Sequence, residues 1–231
     1  MPSVMLLGLL IWVGSALGAA PPPGSVQLLP YSYSGNGCPK RNDTASLVAE
    51  LSPDYSKITL AYQDMNAVTG EGYVRANRTR NCQVHLQLKL INEELPKWQY
   101  AIASTTHQGR ATLGEGVTAA VHSSHIWSNH DTSYPLAGSV YPIPGGGANQ
   151  VGPGENFFEQ FHDFRDSDGW ARPMSACWGA GSSLNVNMRV ALALPQDESV
   201  FASLSLNGGK EGKTLVQTLG LQWAPCSVRG R

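Results

Sequence analysis

Along much of the chain apolar and polar residues alternate with a period of two, the signature of half-buried β-strands. Gln83 to Ile91 is the cleanest stretch: Val84, Leu86, Leu88 and Leu90 fall on one side, and Gln83, His85, Gln87 and Lys89 on the other. Leu184 to Leu194 repeats the pattern, and Val200 to Leu206 and Leu215 to Trp223 follow it. Asn207-Gly208-Gly209 is the sort of turn that would join the last two as a hairpin. Ser46 to Leu51 and Lys57 to Tyr62 flank Ser52-Pro53-Asp54-Tyr55, a turn with proline at its first central position, and so predict another hairpin. Trp98 to Thr105 and Arg110 to Leu113 read as two strands around Gln108-Gly109. No window carries a convincing 3.6-residue period with helix caps. Eight to ten strands in one unit predict a single antiparallel β-sandwich over residues 38–231. A long irregular stretch, about 123–156, interrupts it with Tyr134-Pro135, Tyr141-Pro142 and Pro144-Gly145-Gly146-Gly147.

Before this domain, residues 19–37 are rich in Pro, then Gly and Ser, and read as a flexible leader. Val4 to Val13 is an apolar run too short to span a bilayer and suited to the core of a secretory signal. Ala16-Leu17-Gly18 supplies the small residues of a cleavage site, so residues 1–18 are expected to be removed. The chain is then extracellular, with no membrane association after cleavage. Composition agrees. Only 14% of the 231 residues are charged and the net charge is −1, too little positive charge to neutralise phosphates in numbers, so no nucleic-acid partner is expected.

Secretion changes how the four cysteines are read. Cys38, Cys82, Cys177 and Cys226 form no Cys-x-x-Cys, and in an oxidising compartment they predict two disulfides. Three pairings are possible. Cys38 with Cys82 and Cys177 with Cys226 is preferred, because each bridge then ties a chain end to a strand in its own half. Asn42-Asp43-Thr44 and Asn77-Arg78-Thr79 are sequons, making Asn42 and Asn77 glycosylation candidates.

The cysteine neighbourhoods carry a resemblance. Gly35-Asn36-Gly37-Cys38-Pro39, Leu51-Ser52-Pro53-Asp54 and Arg80-Asn81-Cys82-Gln83 occur in order with Trp98-Gln99-Tyr100 and Gly109-Arg110-Ala111-Thr112-Leu113. Cys177-Trp178-Gly179-Ala180 and Trp223-Ala224-Pro225-Cys226 complete the set. Together they resemble the uncharacterised, mostly fungal four-cysteine family called domain of unknown function 4360, over nearly all of the mature chain. Lys97 and Trp178 depart from its usual glycines. The resemblance implies secretion and disulfides; the family offers no catalytic residues to carry over.

Candidate chemistry is sparse. Glu155 to Trp170 sets Glu155, Glu159, Asp163, Asp166 and Asp168 among Phe157, Phe158, Phe161, Phe164 and Trp170. Acids beside aromatics suit a sugar platform or the paired carboxylates of glycoside hydrolysis. As a strand, this segment places Glu155, Glu159 and Asp163 on one face with Phe157 and Phe161; as a short helix it makes a phenylalanine packing stripe. Asp166-Ser167-Asp168-Gly169 has oxygen ligands for calcium but not the order of an EF-hand loop. His122, His125 and His130, with Asp131, form a weak candidate for zinc or copper. With Ala19 first in the mature chain, a copper site built on an N-terminal histidine is excluded. Gly179-Ala180-Gly181-Ser182-Ser183 lacks the second glycine of a nucleophile elbow, and no phosphate-binding glycine loop is present. No cofactor is called for. Two functions remain: a non-catalytic module that binds a cell-wall or surface glycan or protein, which the absent nucleophile favours, and an enzyme without a known motif. The enzyme would be a glycan-acting hydrolase using the 155–168 acids, or a cofactor-free cyclase or isomerase acting on a small molecule.

Overall fold

A computed structural model describes residues 20–40, 45–91, 97–127, 148–151, 154–165, 167, 169, 174–177, 183–194, 202–204 and 215–226. It is all-β: two antiparallel sheets face one another, and the described residues contain no helix beyond a 3-10 turn at Arg75–Arg78. In the six-stranded sheet β1 (Val26–Leu28), β6 (Thr79–Leu90), β11 (Ser183–Ala193), β8 (Thr118–Trp127) and β9 (Ala148–Val151) lie side by side, and β2 (Ser32–Ser34) also pairs with β6. The seven-stranded sheet runs β3 (Leu47–Leu51), β4 (Lys57–Tyr62), β13 (Leu215–Pro225), β7 (Trp98–Leu113), β12 (Ala202–Leu204) and β5 (Ala67–Thr69), with β10 (Gly154–Asp163) also on β7.

The alternation in the sequence is the alternation of the pleat. Val84, Leu86, Leu88 and Leu90 of β6 are all buried, and β11 buries Leu184, Val186, Met188 and Val190. Across the gap, Leu47, Ile58, Leu60, Leu215 and Leu219 close the core from the other sheet. Each such side chain taken out of water contributes roughly 1.5–3 kcal/mol, before the entropy of ordering it is set against that. At one end Tyr100 sits edge-on to Trp127 at 4.8 Å and beside Trp223 at 5.0 Å. The Trp223 indole there donates to the Tyr55 carbonyl at 2.8 Å. The disulfides are Cys38–Cys82 and Cys177–Cys226, with Cα separations of 5.5 and 5.8 Å.

Several elements differ from the sequence expectation, each for a physical reason. The leader at 19–37 is not wholly flexible, because β1 pairs with Leu88–Leu90 and β2 with Gln83–His85 along one side of β6. Gln108-Gly109 is no turn, since β7 runs unbroken through it. Its apolar pattern is disguised by a bulge: Ile102 pairs with Leu221 and Ser104 with Gly220, leaving Ala103 as an extra residue. One extra residue flips the parity of everything beyond it. Tyr100 and Ile102 point inward before the bulge, and Thr105, His107, Ala111 and Leu113 after it. The stretch expected to be irregular from residue 123 begins inside β8 and ends inside β10. Finally, the last two strands form no hairpin: β13 lies between β4 and β7, whereas β12 pairs with β5 and with Thr112 of β7. Asn207-Gly208-Gly209 lies outside the described residues.

Candidate functional site

The acidic and aromatic segment forms β10 as far as Asp163, so over those residues the strand reading holds and the helical stripe does not. On a pleated strand residues two apart share a face, and Glu159, Phe161 and Asp163 are all exposed, Phe161 by 59%. Positions 155 and 157 have the same parity. Register extends this outward face across the sheet: Phe161 lies opposite Thr106 of β7, Thr106 opposite Thr218 of β13, and Thr218 opposite Thr59 of β4. At about 4.8 Å per strand the row from Phe161 to Thr59 spans about 14 Å. A second row runs from Glu159 through Gln108 to Val216. The result is a face lined at its centre by hydroxyls and an amide, with the bare Phe161 ring at its rim between two carboxylates and with exposed Arg110, Lys57 and Glu50 on the same side of the sheet.

Asp163 is engaged rather than free. Arg165 grips it, with Nε 2.8 Å from Oδ1 and Nη2 2.5 Å from Oδ2, and the Arg165 backbone amide donates to Oδ1 at 3.0 Å. These hydrogen bonds hold the Asp163 carboxyl down at about 2. A glycosidase needs an acid whose pKa is raised and a second carboxylate about 5–10 Å away. Asp163 is shifted the other way, and four residues of strand separate its Cα from that of Glu159 by about 13 Å. Asp166, Asp168 and Trp170 lie outside the described residues.

The histidine candidates do not come together as a set. His122 and His125 are three apart on β8, an odd spacing that puts them on opposite faces: His122 is exposed and His125 buried. His130 and Asp131 lie outside the described residues. Among the described residues no three His, Cys, Asp or Glu side chains are grouped to hold a metal ion.

Sequence reasoning passed over a different cluster, inside the molecule. His107 of β7 and His125 of β8 are buried with Thr105, Ser123, Gln217 and Tyr62. The Tyr62 hydroxyl donates to Gln217 Oε1 at 2.9 Å, and Gln217 Nε2 lies 3.4 Å from both Thr105 Oγ1 and His125 Nε2. His107 Nε2 and Ser123 Oγ are 3.1 Å apart. Burial, then the neighbouring His162 and His122, pushes His107 down to about 4; burial, then His107, pushes His125 down to about 3. Burial likewise drives the Tyr62 hydroxyl above its usual range. Both imidazoles are therefore neutral at pH 7, sealed from solvent and out of reach of a substrate. The signal that would have found them is parity: once Ala103 is counted as a bulge, Thr105 and His107 fall on the inner face. Asn77, at the 3-10 turn, is half-buried, and its Oδ1 accepts from Arg80 Nη2 at 3.2 Å. Asn42 lies outside the described residues.

Fold and bridges define the class: a two-sheet antiparallel β-sandwich whose two disulfides each lie within one half of the chain. The chain belongs to the family of the domain of unknown function DUF4360, whose model matches residues 24–226. An uncharacterized secreted protein of Arthroderma benhamiae is 25% identical over 213 residues, covering 91% of this chain and 76% of that protein. Among solved structures, the broad bean stain virus particle is 11% identical with a TM-score of 0.25, covering 83% of this chain and 96% of the viral chain. The TmCBM61 complex with β-1,4-galactotriose is 9% identical with a TM-score of 0.20, covering 85% and 88%. Scores this low carry no weight for fold or ligand.

Proposed function

We propose that the protein is a secreted, non-catalytic module that binds a cell-wall or surface glycan on the outward face of its seven-stranded sheet. The observation that carries this reading is Phe161, 59% exposed between Glu159 and Asp163 and in register with Thr106 and Thr218. A bare ring offers a stacking surface for the apolar face of a sugar, and flanking hydroxyls, amides and carboxylates offer hydrogen-bond partners for its hydroxyls. The grip of Arg165 on Asp163, which holds that carboxyl at about 2, argues against its use as the acid of a hydrolase. Secretion is supported by the apolar run at 4–13, by the two disulfides and by the secreted relative. Cleavage after Gly18 and N-glycans at Asn42 and Asn77 belong to the same reading. Expression in a eukaryotic secretory host, with N-terminal sequencing and glycosidase treatment of the product, checks these.

The decisive experiment is binding of the secreted protein to insoluble cell-wall polysaccharides and to an array of neutral and acidic glycans. The expected result is retention on a neutral glycan that falls at least tenfold in Phe161→Ala, while that variant melts at the wild-type temperature. No glycan retained, or retention untouched by Phe161→Ala, removes the reading.

A further inference from the structure

The buried histidines do not belong to that outward face, and their arrangement is peculiar in one respect: each is bonded across the gap between the sheets. His107 belongs to the seven-stranded sheet and its partner Ser123 to the six-stranded one. His125 belongs to the six-stranded sheet and its partner Gln217 to the seven-stranded one. Gln217 is oriented by Tyr62, which donates to its oxygen, so its amide nitrogen is the atom turned to His125 Nε2. That nitrogen can only donate, so His125 Nε2 must be the acceptor and carry no proton. Protonation of His125 would set an N–H against an N–H, and would put a charge where the ring is 3% exposed.

Among the described residues, none of the groups acting on the pair compensates a positive charge. From β10 the nearest titratable group is His162, itself an imidazole whose Nε2 is buried without a partner. From β8 it is His122, on the opposite face of the strand. From β4 the facing group is the Tyr62 phenol, which burial pushes above its usual range and which carries no charge in acid. β11 places Val186 and Met188 in register with His125 and Ser123, and β7 and β13 add Thr105 and Gln217. Among the described residues no carboxylate acts on either imidazole. The Nδ1 atoms of both rings are buried without a hydrogen-bond partner, so a doubly protonated ring leaves at least one N–H buried and unpaired.

We propose that His107 and His125 form an acid-sensitive latch between the two sheets, holding them closed when neutral and opening them when protonated. The direction follows from linkage. An unfolded histidine titrates near 6.5, whereas these two stay neutral in the fold down to about 4 and 3. Below pH 6.5 the unfolded chain therefore takes up two protons that the folded chain refuses, so stability is complete above about 6.5 and is lost as pH falls. Each refused proton weakens the folding equilibrium up to tenfold per pH unit, and the two together up to a hundredfold, until the folded rings themselves begin to titrate near pH 4.

Two measurements on the full disulfide-bonded protein test this. In thermal melts from pH 8 to 4.5, the wild type is expected to hold its Tm down to about 6.5 and then lose it steadily, while His107→Gln/His125→Gln is expected to stay nearly flat. A wild-type Tm flat across that range, or an unchanged slope in the double variant, overturns the proposal. Should the double variant fail to fold, histidine ring NMR on the wild type decides. Of the six histidines, two are expected to keep neutral-ring shifts to pH 5 as long as the protein is folded, and titration of every observed ring near 6.5 overturns the latch.

Discussion

The sandwich is held in two different ways at its two sides. Where β3, β4 and β13 face β1, β6 and β11, the gap is filled by Leu47, Ile58, Leu60, Val84, Leu86, Leu184 and Leu219, all fully buried hydrocarbon. Where β7 faces β8, the same gap contains Thr105, His107, Ser123 and His125, with Gln217 bridging the two zones. The apolar side gains from removal of surface from water and asks little of geometry. The polar side gains only if each donor meets its acceptor, because a buried polar group left alone costs more than a made hydrogen bond returns. The first should therefore be robust to pH and sensitive to volume, and the second the reverse.

Breaking that contrast gives an ordered series of effects. The largest is expected from Cys38→Ala/Cys82→Ala, which frees a loop with a sequence separation of 44 and should destabilise by about 4 kcal/mol in the chain-entropy account. Leu86→Ala, in the apolar half, should cost about 3 kcal/mol by lost transfer energy and cavity formation, equally at pH 5 and pH 7.5. Gln217→Leu removes the partner of Tyr62 and His125 at similar volume and should cost about 2 kcal/mol. Urea titrations at both pH values measure all three. At the bottom lies Phe161→Ala, which leaves stability within about 0.5 kcal/mol and is read only in glycan binding. A large pH dependence in the Leu86→Ala cost would show that the two sides are not separable.

Legibility in the sequence follows the same division. β6, β11 and the Ser52–Tyr55 turn were readable because apolar residues and turn formers stand where the pleat needs them; the turn even uses Asp54, which accepts from Ser56, and Tyr55 at φ 58°. The cysteine pairing was readable from spacing and compartment. β8 was not, because Ser123 and His125 occupy inward positions and make TAAVHSSHIW look solvent-exposed on both faces. β7 was split by its bulge at Ala103, and by inward residues as small as Gly109 and Ala111. The site was half legible. Strand parity grouped Glu159, Phe161 and Asp163 correctly, but His122 and His125 were gathered by nearness in sequence, where an odd spacing on a strand parts them.

The placement of the two bridges has a consequence for proteolysis. Cys38–Cys82 and Cys177–Cys226 each close a loop within one half, and no covalent link crosses from one half to the other except the main chain between them. Yet β13 is inserted between β4 and β7, and β11 pairs with β6. A single cut between Cys82 and Cys177 would thus leave two interlocked fragments that co-migrate on a sizing column. They would separate on a denaturing gel without any reductant.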